Sequence, residues 1–252
     1  MPPLKHFFIV GSQKCGTTYL HDCLVQTGFF SQGSQKEMHF FNQEQKHIDE
    51  NFDNYMDDFK SRLKSEKALY FIDSSTSYFQ LRRDGNAVKN NARHIHQYFP
   101  DSPQIALFRN PIDRYESAFN HHVLWDRIPY QETIHEVNDD FRMLSLGEYS
   151  SILKYWRQYC PQLSVYLYDD LLLDSVQFVN NILQHFGVSH LVSASDIEFR
   201  SNDSSIKLKK TGVARKAKLS VDAKKNLINH YKPFVNELEE MINRDLSSWL
   251  EI

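Results

Sequence analysis

The chain has 252 residues, of which 41% are hydrophobic and 24% charged, with eight glycines and eight prolines. This composition is globular. It excludes a disordered, fibrous or low-complexity chain, and the length fits one α/β domain over 1–252. Lys and Arg total 29 against 32 Asp and Glu, a formal −3, so bulk charge advertises neither a nucleic acid nor an anionic membrane as partner.

The first residues run straight into Phe7–Val10, an apolar stretch too short for a signal-peptide core or a membrane span. No later run approaches ~18 apolar residues. Cys15, Cys23 and Cys160 are odd in number and widely spaced, which suits neither a disulfide framework nor a zinc motif. The expectation is a soluble, cytoplasmic protein with no membrane span and no metal site.

Phe7–Val10 reads as a strand buried on both faces. It stops at Gly11, and Gly16-Thr17-Thr18 opens a helical pattern with Leu20, Cys23 and Leu24 on one face and Gly28 as its stop. Residues 42–66 are polar, an excursion with a short helix. Further apolar runs end at Asp73, Arg109 and Asp169, and amphipathic stretches over about 86–98, 111–124 and 148–158 lie between or beside them. The last third has helical spacing at 175–186 and 221–243, the latter interrupted at Pro233. Strands alternating with helices predict a P-loop-like three-layer α/β fold, a central parallel sheet flanked by helices. In such sheets ligands bind at the carboxyl ends of the strands.

Between the first strand and the first helix lies Gly11-Ser12-Gln13-Lys14-Cys15-Gly16-Thr17-Thr18. Its glycines have the G-x-x-x-x-G spacing of a phosphate loop, which turns backbone N–H groups inward and aims a helix N-terminus at an anion. A nucleoside-triphosphatase carries lysine directly after the second glycine. Here Thr17 stands there and the lysine is displaced into the loop, as Lys14. Asp73 at a strand end mimics the metal-holding aspartate of such enzymes, so a nucleotide kinase or NTPase stays open. A non-catalytic nucleotide- or glycan-binding module stays open too.

The loop resembles the 5′-phosphosulfate loop of sulfotransferases that use 3′-phosphoadenosine 5′-phosphosulfate (PAPS), and is most similar to the heparan sulfate N- and 3-O-sulfotransferase branch. Lys36-Glu37-Met38-His39-Phe40-Phe41 is similar to that family's K/N-E-x-H-F-F segment. Leu107-Phe108-Arg109-Asn110-Pro111, followed by Arg114 and Ser117, looks like its 3′-phosphate motif. The resemblance covers about residues 5–250. It implies an enzyme moving a sulfuryl group from PAPS, its one co-substrate, to a hydroxyl or amine, a carbohydrate among the candidates. It also implies a catalytic core without the stem or membrane anchor of Golgi relatives.

The resemblance also distributes roles. Gly11, Gln13, Lys14, Cys15, Gly16, Thr17 and Thr18 would cradle the 5′-phosphate, with Lys14 neutralising charge on the oxygen that bridges sulfur and phosphorus. Glu37 would be the general base, with His39 beside it; in an extended segment residues two apart point the same way. Arg109 and Ser117 would hold the 3′-phosphate, since guanidinium matches phosphate geometry. Arg114 is explained equally well as a surface ion pair. Six of the basic residues fall in 207–218, a strip without an acid, and leave a formal −9 elsewhere. Gly212, Arg215 and Lys216 in this strip match the family's nucleotide-covering loop. The family also carries a lysine after the strand that ends at Asp73, where this chain has Ser74. That departure keeps a lipid, polyketide or small alcohol open as acceptor.

Overall fold

The computed structural model describes residues 4–81, 83–84, 87–88, 91–197 and 215–251. In chain order, β1 (Lys5–Gly11) leads to α1 (Thr17–Gln26), β2 (Phe30–Gln32), α2 (Gln45–Ser61) and β3 (Tyr70–Asp73). Two short strands, β4 (Arg83–Asp84) and β5 (Ala87–Val88), precede α3 (Asn91–Tyr98), β6 (Gln104–Phe108) and α4 (Pro111–Leu124). Next come β7 (Thr133–Ile134), α5 (Tyr149–Tyr159), β8 (Ser164–Leu167), α6 (Tyr168–Leu173), α7 (Ser175–His185) and α8 (Ala194–Ile197). The chain closes with β9 (Lys218–Leu219) and α9 (Val221–Ile242).

These elements form two compact units, residues 1–107 with 155–201, and residues 108–154 with 202–252. The first is built on a five-stranded sheet in the order β2-β3-β1-β6-β8, with β1 parallel to both β3 and β6, and β2 parallel to β3. The central place of β1 explains its unbroken apolar sequence. Phe7 turns to one face, against Phe30, Tyr70 and Phe186. His6 and Phe8 turn to the other, against Tyr55, Phe59, Phe41 and Phe99. Each buried phenylalanine removes apolar area worth ~1.5–3 kcal/mol from water. The predicted α/β architecture with a central parallel sheet is the one observed.

In the second unit α4 begins where the sequence predicts. The Asn110 side chain accepts the Ile112 N–H at 2.9 Å, and Pro111 occupies the first turn, where its missing N–H costs nothing. The 221–243 pattern is not interrupted at Pro233. α9 runs through it for 22 residues because Tyr231, Val235 and Leu238 bury one continuous face, and Tyr231 donates to the Leu144 carbonyl at 2.8 Å. Likewise the polar segment 42–66 carries a helix of 17 residues, not a short one, anchored by buried Ile48, Tyr55 and Phe59. Among the described residues no helix is long and apolar enough to cross a membrane.

Candidate active site

The loop after β1 is shaped by its two glycines. A Cβ on Gly11 would stand 2.4 Å from Phe79 Cβ. Gly16 caps α1 in the left-handed region at φ 86°, and a Cβ there would meet the Tyr168 ring at 2.8 Å. Neither position has room for a side chain, and Gly16 has the backbone that glycine adopts at least cost. Lys14 is also left-handed, at φ 68°, and half-buried. Thr17, buried, and Thr18 open the helix, whose first N–H groups lack intrahelical acceptors by geometry. Cys15 is buried, its thiol 3.6 Å from the Gln13 carbonyl. Within the same loop Ser12 Oγ and Gln13 Oε1 are buried with no hydrogen-bond partner among the described residues. Ser12 was not singled out by the motif. Only its burial with an orphaned hydroxyl marks it.

Glu37 and His39 come together as anticipated, but not through an extended segment. Residues 36–39 form no strand; His39 sits at φ 54° and caps a 3₁₀ turn over Phe40–Asn42. His39 Nε2 lies 3.6 Å from Glu37 Oε2, while Lys36 Nζ lies 3.1 Å from Glu37 Oε1. Thr76 Oγ1 donates to Oε2 at 3.4 Å. The Glu37 side chain keeps 35% of its surface exposed, so a substrate can reach it. Phe40 and Phe41 turn away into the aromatic core, Phe40 stacked on Tyr55 at 4.5 Å and Phe41 fully buried.

The turn 73–80 joins this segment to the glycine loop. On one side the Ser75 hydroxyl accepts the His39 N–H at 3.0 Å, and the Ser77 hydroxyl lies 2.7 Å from His39 Nδ1. Ser74 N–H donates to the Lys36 carbonyl, and Lys36 Nζ reaches the Ser74 carbonyl at 3.4 Å. On the other side Phe79 N–H donates to the Val10 carbonyl at 2.8 Å, with its ring against Gly11. From α1, His21 contributes Nδ1 2.7 Å from Ser74 Oγ and Nε2 2.8 Å from Gln32 Oε1. Burial lowers the His21 pKa to about 4, so the ring is neutral. Asp73 is wholly buried, and burial raises its pKa against the opposing effect of three hydroxyl donors. One turn thus fixes Glu37 and the entrance of the glycine loop at the carboxyl ends of β1 and β3.

In the second unit Arg109 follows β6 as predicted, its guanidinium 3.9 Å from Asp113 and its carbonyl accepting from Tyr149 Oη at 3.0 Å. Ser117 lies half-buried on α4. Arg114 is not a surface residue: it is fully buried and donates to the Met143 carbonyl. Of the basic strip, Gly212 lies outside the described residues. Arg215 and Lys216 are exposed, and acids from elsewhere in this unit meet the strip, Glu132 at Arg215 and Glu116 at Lys218. Among the described residues no group of three or more His, Cys, Asp or Glu could hold a metal ion.

A parallel sheet whose first strand passes through a two-glycine loop into a helix defines a P-loop-like α/β protein. A model of the "Sulfotransferase family" matches residues 6–191, and the chain belongs to that family. It is 27% identical, over 206 residues, to the bifunctional heparan sulfate N-deacetylase/N-sulfotransferase 2 of Homo sapiens. The match covers 74% of this chain and 22% of that protein, so the chain spans about a fifth of the length of this relative. Among solved structures, a sulfotransferase from Alicyclobacillus acidocaldarius superposes with a TM-score of 0.72 at 22% identity, over 99% of this chain and 100% of that one. The sulfotransferase domain of the Synechococcus PCC 7002 olefin synthase gives 0.53 at 17% identity, over 92% and 95%. These two likenesses show the fold.

Proposed function

We propose that this chain transfers a sulfuryl group from PAPS to a hydroxyl or amine acceptor, with residues 1–252 acting as one sulfotransferase domain. The observation that carries this is the 73–80 turn, which ties Glu37 and the glycine loop together. The family match over residues 6–191, which takes in 108–154 of the second unit as well as most of the first, supports the single domain. The loop suits a 5′-phosphosulfate: two positions exclude a side chain, and the buried Ser12 hydroxyl, a potential donor to an anion, lacks a partner among the described residues.

In this scheme the acceptor oxygen or nitrogen bonds to sulfur as the bond from sulfur to the 5′-phosphate oxygen breaks. Glu37 takes the acceptor proton, and the electron pair leaves with the phosphate. Lys14 balances charge on that oxygen, and the amides of Gly16, Thr17 and Thr18 hold the phosphate. Fixed donors and cations aimed at developing charge supply the acceleration. His39 and Lys36 flank the two oxygens of Glu37 and fix its orientation. By resemblance, Arg109 and Ser117 take the 3′-phosphate, and Gly212, Arg215 and Lys216 close over the nucleotide. A carbohydrate is the favoured acceptor, supported by the name of the human relative.

The test is transfer of labelled sulfate from PAPS to a panel of aminosugars, glycans, phenols and alcohols. Labelled product that disappears in Glu37→Gln supports the scheme. Magnesium-dependent ATP turnover without any sulfate transfer overturns it.

A further inference from the structure

The buried carboxylate of Asp73, which in sequence mimics a metal-holding aspartate, is hydrogen-bonded toward the Glu37 segment. Three hydroxyls donate to it: Ser75 to Oδ1 at 2.6 Å, and Tyr78 and Tyr55 to Oδ2 at 2.9 and 3.1 Å. Two of these hydroxyls pass the interaction on. Ser75 Oγ accepts the His39 N–H at 3.0 Å, and Tyr78 Oη accepts the Phe41 N–H at 3.3 Å. Among the described hydrogen bonds, Tyr55 Oη carries no amide of that segment.

A hydroxyl can rotate and either donate or accept, whereas an ionised carboxylate only accepts. Next to Asp73, Ser75 and Tyr78 must spend their protons on the carboxylate, which leaves their lone pairs facing the amides of residues 39 and 41. The carboxylate thereby sets the polarity of both links. His39 itself stands at φ 54°, a conformation unfavourable for a residue with a Cβ. That backbone brings the imidazole to the Glu37 carboxylate.

We propose that Asp73 is a positioning residue for sulfuryl transfer, acting through Ser75 and Tyr78 to hold the backbone that presents Glu37 and His39. The proposal rests on the role given to Glu37 above. Asp73→Asn is the sharp variant. It keeps the shape, but its amide donates to one of the hydroxyls and reverses that link.

The experiment compares wild type with Asp73→Asn, Tyr78→Phe, Tyr55→Phe and Glu37→Gln. Two readouts are used: amide hydrogen exchange over residues 36–42, and release of the desulfated nucleotide from PAPS. The second is measured with water as acceptor and with N-deacetylated heparosan as an amine probe. Asp73→Asn should speed exchange at one or both of His39 and Phe41, and Tyr78→Phe at Phe41; each should lower kcat about tenfold or more, with the KM for PAPS within about twofold of wild type. Tyr55→Phe removes an equivalent hydroxyl–carboxylate bond but no relay, and should leave exchange and kcat at wild-type values. If Tyr55→Phe matches Tyr78→Phe, or if Asp73→Asn leaves both amides protected as in wild type, the positioning role is wrong. If Glu37→Gln turns over like wild type, it is the assignment of the base that fails, and amide exchange still decides whether Asp73 clamps the segment.

Discussion

His39, at φ 54° and with Nδ1 2.7 Å from the Ser77 hydroxyl, places Nε2 3.6 Å from Glu37 Oε2. The imidazole folds back on the carboxylate from a left-handed turn, and Lys36 covers the opposite oxygen at 3.1 Å. Glu37 therefore stands between a cation and an imidazole with its orientation fixed and part of its surface open to an acceptor.

Glu37→Gln keeps the size and most contacts of this side chain but cannot accept a proton. Sulfate transfer should fall by about 10²–10⁴-fold with little change in nucleotide affinity. Initial rates, together with calorimetric titration of the desulfated nucleotide, separate these effects. A variant with wild-type kcat removes Glu37 from the mechanism.

Lys14→Ala should lower kcat by about 10²–10³-fold, the cost typical of losing one group that stabilises transition-state charge. The melting temperature should stay near wild type, since Lys14 is half-buried on a loop rather than in the core. Lys14→Arg restores the charge with a different reach and should recover only part of the rate. Single-turnover kinetics with saturating PAPS reads the chemical step directly.

Gly16→Ala places a Cβ at 2.8 Å from the Tyr168 ring on a φ of 86°. The strain should cost about 1–3 kcal/mol of stability and distort the anion site with it. Chemical denaturation should show the lowered midpoint, and calorimetry the weakened nucleotide binding. Unchanged values for both would mean that the loop does not need its left-handed cap.

His21 predicts a specific acid sensitivity. Gln32 Oε1 only accepts, so Nε2 carries the proton and Nδ1 accepts from the Ser74 hydroxyl. Its folded pKa of about 4 lies below the ordinary value of 6.5, so below 6.5 the unfolded chain binds a proton that the folded chain refuses. The stability is fully present above about pH 6.5 and declines as pH falls toward 4. His6, lowered by burial to about 3, adds to the same slope. Unfolding free energy measured from pH 7 to 4 should fall, and His21→Gln should shallow the slope by about one proton.

The sequence made legible what is local. The strand, the two-glycine loop and the helix are consecutive, so spacing alone locates them, and Asn110-Pro111 announces α4 by capping chemistry. What escaped is set by distant partners. Pro233 breaks no helix because a buried face spanning Tyr231 to Leu238 holds α9 together. Arg114 resembles a surface residue in sequence, yet the carbonyl that takes its guanidinium comes from Met143, far along the chain. Glu37 and His39 meet as their spacing implies, but the cause is a turn held by Ser75 and Tyr78 rather than an extended strand. Asp73 is one acidic residue at a strand end until Tyr55, Ser75 and Tyr78 are seen to converge on it.

The loop from Gly11 to Thr18 is the proposed binding site of a 5′-phosphosulfate nucleotide, held there for transfer of its sulfuryl group. Calorimetric titration of the wild-type chain with 3′-phosphoadenosine 5′-phosphate tests this most directly. Saturable one-site binding is expected, weakened by Gly16→Ala and not matched by ATP with magnesium. Absence of binding at millimolar nucleotide would contradict it.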